Sequence, residues 1–223
     1  MTTLGPQPPT SGADPGTSPA AYGLIHDDAI AELSGWHPPD PAQARLRRDY
    51  LAHLARHGDA MARGGPPAHL TGSVIVLDQA GEHVLLTLHQ KARRWFQFGG
   101  HFEADDRSMR EGAEREAREE SGIDELVALP EIVMLDRHDL GAAFGSCQEH
   151  LDVRYAAIAP TGAAHSASHE SVDVRWWPAD RLPEDTREEL LPLVRAAQAL
   201  IRAEHSPHSS LSVRPAVAAT PWR

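Results

Sequence analysis

The stretch GGHFEADDRSMREGAEREAREESGI, residues Gly99 to Ile123, decides the fold of this chain. It opens with a Gly-Gly turn and carries five glutamates in its last thirteen residues. On a helix, Glu116, Glu119 and Glu120 would fall at i, i+3 and i+4 and therefore share one face. Like charges at this spacing repel at a cost of roughly 0.2–0.5 kcal/mol per pair. Arginines or a bound cation must therefore offset the repulsion.

The acidic segment is expected to form a helix from about Arg107 to Ser121, which Gly122 ends. Glu103 comes just before it, after two glycines at which the backbone can fold back tightly. Together with the three glutamates of the shared face, Glu103 would complete an oxygen-rich site for a hard dication such as Mg²⁺. In a generic helix, a solvated acidic face paired with Arg115 and Arg118 would be the more common arrangement.

The spacing of the motif favours the metal site. Residues 115–123, Arg-Glu-Ala-Arg-Glu-Glu-Ser-Gly-Ile, closely resemble the second half of the Nudix box, R-E-U-x-E-E-x-G-U, where U is aliphatic. The Gly-Gly turn with Glu103 is similar to the opening of the box. The family pattern is G-x5-E-x7-R-E-U-x-E-E-x-G-U, and its first glutamate would fall at Asp106. Eight residues instead of seven then separate Asp106 from Arg115, which weakens the case for a catalytic role of Asp106; Ala117 is also small for an aliphatic site.

The order of the predicted elements agrees with this resemblance. GSVIVLD and HVLLTLHQ predict a hairpin of buried strands, and the glycine turn and acidic helix follow. EIVMLD, HLDVRYAAIA and VDVRWW predict three more strands, and a last helix begins near Pro192. The resemblance implies an α/β fold, a Nudix-type α/β/α sandwich with a mixed β-sheet, plus an N-terminal helical extension. In that extension, Asp40 is the expected N-cap of a helix that begins at Pro41.

Composition divides the chain further and excludes several classes of protein. The expected parts are a disordered tail over 1–20, the helical extension over 21–69, the Nudix domain over 70–204 and a flexible tail over 205–223. The 223 residues carry a net charge of −11 without a basic stripe, so a nucleic-acid partner is not expected. Cys147 is the only cysteine, so no intramolecular disulfide is expected. No apolar run reaches membrane-spanning length and the N-terminus lacks a secretory signal, which favours a cytoplasmic location.

The resemblance implies hydrolysis of a diphosphate linked to another group, usually in a nucleoside diphosphate derivative, with Mg²⁺ or alternatively Mn²⁺ as cofactor. By the same resemblance, Glu116 and Glu120 are the strongest candidates for metal ligands. Glu119 would be a ligand or the general base, and Glu116 is also a catalytic candidate. Glu103 and the carbonyl of Gly100 are the further candidate ligands.

Other candidates lie outside the box. Glu170 stands where several Nudix branches draw a ligand or base from a loop, although a solvated loop acid is an equal alternative. The candidates for substrate binding are Arg94, Trp95, His101 and Arg115. Among these, Trp95 is of a type found more often in a core, and Arg115 is better suited to orient a glutamate than to touch substrate.

Three questions stay open at this point. A Nudix-like sensor that binds a nucleotide derivative without turnover is the alternative function, although a sensor would be expected to have lost glutamates. The substrate could be ADP-ribose, a sugar nucleotide, an oxidised dNTP or a dinucleoside polyphosphate. The chain could form a homodimer, in which the segment 40–63 packs against the partner copy.

Histidines and a polar strand face complete the candidates. The pairs Cys147-x2-His150 and His165-x3-His169 have zinc-like spacing, but 14 histidines produce such pairs by chance, so a zinc site is not expected. His150, Asp152 and Arg154 alternate with apolar residues, which predicts a strand with one polar face. That face would line the substrate cleft or have a structural role.

Overall fold

The computed structural model describes residues 19–140 and 147–204. The predicted tails fall mainly on residues 1–18 and 205–223, which lie outside the described residues. A short 3-10 helix, Pro19–Tyr22, takes in the last two residues of the predicted N-terminal tail. Among the described helices, none combines the length and apolar composition needed to cross a membrane.

Two helices precede the sheet. They are α1, Gly23–Gly35, and α2, Pro41–Leu54. As the sequence predicts, Asp40 caps α2, because its carboxylate accepts hydrogen bonds of 2.8 Å from the backbone N–H groups of Ala42 and Gln43. Pro41 takes the first helical position, where a missing N–H costs nothing.

Within the described residues, seven strands form one sheet, which is mixed as predicted. They are β1 Ala68–Leu77, β2 His83–His89, β3 Trp95–Phe96, β4 Phe98–His101, β5 Met134–Asp139, β6 Glu149–Ile158 and β7 Ser171–Pro178. The main order is β3-β2-β1-β6-β5, while β4 also pairs with β1 and β7 pairs with β2. The strands β1 and β6 run parallel over ten residue pairs, and the other pairings are antiparallel. The expected hairpin of β1 and β2 is present, and β1 begins two residues before the expected domain start at 70.

Two further helices cover the two faces of the sheet. The acidic helix is α3, Met109–Ser121, and the last helix is α4, Leu190–Glu204. Pro192 lies in the first turn of α4, where proline is tolerated. Alternate residues of β1 separate the two cores: Leu70, Val74 and Val76 pack with α1, α2 and α3, whereas Ile75 and Leu77 pack under α4. The molecule is therefore the expected α/β/α sandwich.

The N-terminal extension is joined to the sandwich by specific contacts. The carboxylate of Asp28 on α1 accepts a 2.8 Å hydrogen bond from the backbone N–H of Met109, the first residue of α3. The Tyr155 hydroxyl donates to Glu32 at 2.9 Å. Gln43 on α2 both donates to and accepts from the backbone of Leu135 on β5. Within the described residues, the apolar faces of α1 and α2 thus pack against their own domain.

Candidate active site

The helix α3 is fixed at both ends by its own sequence. The Ser108 hydroxyl accepts a hydrogen bond of 3.1 Å from the backbone N–H of Glu111 and caps the start of the helix. Gly122 ends it in the left-handed conformation, with φ of 69°, and its N–H donates to the carbonyl of Arg118. This confirms the predicted helix and its glycine stop, with a start two residues later than predicted.

Two glutamates of α3 lie against the glycines of β4. The backbone N–H of Gly99 donates to Glu120 Oε2 at 3.0 Å. The Glu116 carboxylate lies so close to Gly100 that a Cβ atom there would meet Glu116 Oε2 at 2.6 Å. Gly99 has φ of +154°, and a Cβ atom there would fall 2.4 Å from the side chain of Ser73. The Gly-Gly pair therefore has a physical reason, since a side chain at Gly100 would displace Glu116 and a side chain at Gly99 would clash with β1.

Both glutamates are poorly solvated. Burial raises the pKa of Glu120 to about 8 against the hydrogen bond from Gly99, and the charges of Glu116, Glu170 and Glu119 raise it further. Burial also raises the pKa of Glu116, while Arg115 opposes that shift. The carboxylates of Glu120, which is buried, and of Glu116, which is half-buried, are hard oxygen donors that suit Mg²⁺, and a dication would offset their mutual repulsion.

Arg115 is an arginine that partly offsets the repulsion among the acidic side chains. Its guanidinium lies 3.1 Å from Glu116, 3.5 Å from Glu119 and 3.9 Å from Glu103, measured from Nη1 to the carboxylate oxygens. Its Nη2 also donates to the carbonyl of His101 at 3.0 Å. Arg115 thus orients glutamates, the role that the sequence favoured over direct substrate contact.

Asp106 has a larger structural role than the sequence indicates. Its side chain is 6% exposed, and it accepts hydrogen bonds from Nε and Nη2 of Arg115 at 3.1 and 3.0 Å. It also accepts from the backbone N–H of Glu103 at 2.8 Å. Asp106 thus holds Arg115 in place, whatever its position in the motif.

The other candidate carboxylates lie at the rim of this site. The side chains of Glu103, Glu119 and Glu170 are 66%, 61% and 58% exposed, respectively. Glu170 comes just before β7, and its charge raises the pKa of both Glu116 and Glu120. The fold therefore brings this distant loop acid towards the glutamates of α3.

A cavity of about 520 Å³ opens beside the glutamates on the α4 face of the sheet. Gly99, Gly100 and Glu120 line its edge, and Arg94 and Phe96 line its outer wall. Arg94 is thus placed where it could contact a ligand in the cavity.

The other substrate-binding candidates lie elsewhere. Trp95 is 8% exposed and packs edge-on against Trp177 at a ring distance of 5.2 Å, so the expectation that it contacts substrate does not fit the structure. The reason is strand alternation, which turns Arg94 and Phe96 to the side opposite Trp95. The His101 ring packs against the rings of His69 and His150 and is not among the residues that line the cavity.

The floor of the cavity is a polar network on β1 and β6. Asp152 accepts hydrogen bonds from Thr71 Oγ1 at 3.0 Å, Ser73 Oγ at 2.8 Å and Arg154 Nε at 2.9 Å. Arg154 is 2% exposed and also donates to Asp136 on β5 at 2.8 Å. The predicted polar face of β6 thus both lines the cavity and has a structural role. The contributions of Thr71, Ser73 and Asp136 were missed, although the alternation of polar and other residues in AHLTGS, residues 68–73 of β1, was a weak signal for Thr71 and Ser73.

Comparisons with known proteins agree with this architecture. The NUDIX domain family model matches residues 67–197. A NUDIX-family hydrolase from Clostridium perfringens superposes with a TM-score of 0.51 at 24% identity, over 60% of this chain and 97% of that one. A binary complex of the C. elegans Ap4A hydrolase gives a TM-score of 0.50 at 17% identity, over 60% of this chain and 98% of that one. None of the curated proteins matches this chain in sequence.

Proposed function

The chain belongs to the Nudix family, a family of hydrolases, and we propose that it hydrolyses a diphosphate bond in a nucleoside diphosphate linked to another group, with Mg²⁺ or Mn²⁺ as cofactor. The observation that carries this proposal is the placement of Glu116 and Glu120 against Gly99 and Gly100 at the edge of the cavity. Burying these acids is costly even though Arg115 pairs with Glu116, and acids with raised pKa values concentrate at functional sites.

Under this proposal, Glu116, Glu120 and the carbonyl of Gly100 hold the dication, with Glu119 or Glu103 as further ligands. When bound, the ion would neutralise the diphosphate and lower the pKa of an attacking water. Arg115 holds the glutamate carboxylates in register, because it is itself fixed by Asp106. Glu119 and Glu170 are the two candidates for the general base, since both are exposed enough to meet a water.

The residues that line the cavity suit a substrate that carries both an anionic group and a planar ring. Arg94 and Arg187 place cationic side chains in its lining, which suits phosphate oxygens. The rings of Phe96 and His89 lie 6.2 Å apart in an edge-on arrangement and offer an apolar wall to a nucleobase. The cavity thus supports a nucleoside diphosphate derivative as the small-molecule partner. The cytoplasmic location and the homodimer stay predictions from the sequence.

The test is a screen of nucleoside diphosphate derivatives with the purified chain, in Mg²⁺, in Mn²⁺ and in EDTA. Products are identified by mass spectrometry, so that cleavage of a diphosphate bond is seen directly. We expect turnover of at least one derivative with either metal and none in EDTA. Full turnover in metal-free buffer would contradict the proposal.

A matched set of variants then separates hydrolysis from mere binding. Glu116→Gln and Glu120→Gln should abolish most of the turnover, whereas Glu111→Gln, an exposed glutamate on the same helix, should leave it near that of the wild type. If the chain binds a derivative tightly but cleaves none with either metal, the sensor interpretation takes the place of the hydrolase.

A further inference from the structure

Three histidines from three neighbouring strands meet beside the active site. His69 lies on β1, His101 is the last residue of β4, and His150 lies on β6. Their ring centroids form a nearly equilateral triangle with sides of 5.0, 5.1 and 5.2 Å. One nitrogen of each ring lies within 4.8 Å of the chosen nitrogens of the other two. The chain contains no sequence-local histidine motif that would have predicted this group.

The strand register explains why the group forms. His69 and His150 are opposite each other in the parallel pairing of β1 and β6, and His101 is opposite Thr71 on the other side of β1. Side chains at alternate positions of a strand share a face, so all three rings point to the α4 face of the sheet. Further along that face, the residues opposite each other in β1 and β6 are apolar and α4 covers them. The histidine end of the face has a different composition and opens towards the cavity, which His150 lines.

We propose that His69, His101 and His150 form a second metal site, separate from the glutamate cluster, which binds a transition-metal dication through three imidazole nitrogens. Zn²⁺ is the ion that this site suits best. Imidazole is a good ligand for Zn²⁺, Cu²⁺ and Ni²⁺ but not for Mg²⁺, whereas the carboxylates of Glu116 and Glu120 suit the hard Mg²⁺. The two sites thus favour different metal ions, because their ligand atoms differ.

The hydrogen bonds of the ring nitrogens support the proposal. His69 Nδ1 lies 3.1 Å from the carbonyl oxygen of Pro66, which can only accept, so Nδ1 carries the proton and Nε2 carries a lone pair. That Nε2 faces Nε2 of His101 at 3.1 Å. Two nitrogen ligands of a tetrahedral zinc ion, at Zn–N distances of about 2.0–2.1 Å, lie roughly 3.3–3.4 Å apart, so only a small adjustment is needed. A backbone carbonyl that accepts from the far nitrogen is also the usual way in which a metal-bound histidine is oriented.

His150 supports the metal site independently of the contacts that His69 and His101 make. Its Nε2 is buried and has no hydrogen-bond partner among the described residues. A direct hydrogen bond between His69 and His101 would satisfy those two rings without a metal, but it would leave His150 Nε2 buried and unsatisfied, which is unfavourable. A cation shared by the three rings and bound through this nitrogen would satisfy it together with Nε2 of His69 and of His101.

The electrostatic surroundings are compatible with a neutral-imidazole site. Burial lowers the pKa of His69, and burial with the nearby His138 and His69 lowers that of His150 to about 4, so both rings are neutral at pH 7. Asp152 is close enough to raise the pKa of His150, and its negative charge favours a bound cation. The exposed Arg63 acts in the opposite direction and is screened by solvent.

The experiment is a Zn²⁺ titration of the untagged full chain, stripped of metal and held in millimolar Mg²⁺ to occupy the hard-oxygen site. Isothermal calorimetry with a competing chelator gives the affinity and the stoichiometry. We expect one Zn²⁺ per chain. Since loss of even an outer partner of a metal ligand weakens binding roughly 10–100-fold, His69→Gln and His150→Gln should weaken it by at least a hundredfold.

Two controls make the result specific. His83→Gln changes a histidine that pairs with Asp78 at the β1–β2 turn and should leave Zn²⁺ binding unchanged. Glu116→Gln should also retain the Zn²⁺ equivalent, because it belongs to the other site. Unchanged binding in both His69→Gln and His150→Gln would overturn the proposal.

X-ray absorption on the zinc-loaded wild-type chain provides a readout that does not depend on whether the variants fold. Three imidazole ligands at the zinc are expected. A ligand shell made mainly of carboxylate oxygens would place the ion in the glutamate cluster and overturn the proposal.

Discussion

The two polar clusters beside the cavity are built in opposite ways. The glutamate cluster draws Glu116, Glu119 and Glu120 from five consecutive residues of one helix, and their spacing alone puts them on one side. The floor network draws Thr71 and Asp152 from strands 81 positions apart in the chain. The first cluster concentrates like charges and leaves them under-compensated, whereas the second pairs the Arg154 guanidinium with Asp152 and Asp136. The difference indicates that the glutamate cluster is a site for chemistry, whereas the floor network stabilises the fold.

This contrast predicts that the largest effect on turnover comes from the glutamate cluster. Glu120→Gln should reduce turnover at least ~10³-fold, equivalent to about 4 kcal/mol of barrier, since it removes a charged metal ligand. Steady-state kinetics on the substrate found in the screen measures the loss, with Glu111→Gln as the control on the same helix. Near-normal turnover in Glu120→Gln would remove this cluster from the active site.

The variant Glu120→Gln should also change how the free energy of unfolding depends on pH. Because the pKa of Glu120 is raised to about 8 in the fold, the folded state holds the proton more tightly than the unfolded chain. That contribution is complete below the unfolded pKa, and it is lost as pH rises through the folded pKa. Without metal, the free energy of unfolding of the wild type should therefore fall between about pH 4.5 and 8, and Glu120→Gln should reduce this slope.

A substitution in the floor network should reduce the free energy of unfolding more than it reduces turnover. Arg154→Met keeps much of the side-chain volume but leaves Asp152 and Asp136 without their buried cationic partner. Breaking a buried ion pair on one side costs about 3 kcal/mol or more. Urea unfolding measures the change, and Arg175→Met, an exposed arginine on β7, is the control. A loss below about 1 kcal/mol would mean that the network is not a support of the fold.

Glu170 tests whether a residue outside the motif belongs to the chemical cluster. If its carboxylate serves as ligand or base, Glu170→Gln should reduce turnover by ~100-fold, about 2.7 kcal/mol of barrier, with little change in unfolding. Asp173→Asn on the following strand is the neighbouring control. A loss of less than about threefold would make Glu170 a solvated loop acid, the alternative that the sequence left open.

Asp106 combines features of the two clusters, because it is a buried, paired acid that holds Arg115 beside the glutamates. Its substitution should give the smallest effect. Asp106→Asn keeps the shape but loses the charge that holds Arg115, so we expect a loss of about 1–3 kcal/mol in unfolding and a moderate decrease in turnover. Asp105→Asn, its exposed neighbour, should change neither quantity. Chemical unfolding and kinetics on the two variants check this, and equal behaviour of the pair would show that the Asp106–Arg115 contact is unimportant.

Much of the fold followed from local signals. The Asp40-Pro41 start of α2, the Gly122 stop of α3 and the hairpin of β1 and β2 each depend on residues within a few positions of one another, and all three are confirmed. The sequence left Trp95 open between the core and the substrate site, and it did not predict the anchoring role of Asp106. Both depend on what lies opposite in space: Trp177 for the first and Arg115 for the second.

The sequence by itself determined the glutamate face of α3, its glycine turn and the family, because a helix repeats every 3.6 residues and its spacing is fixed locally. Only the tertiary structure decided the cavity floor and the histidine group. Those depend on the parallel pairing of β1 with β6, which sets Thr71 opposite Asp152 and His69 opposite His150. Strand register comes from long-range hydrogen bonding and burial, so no local spacing in the chain encodes it.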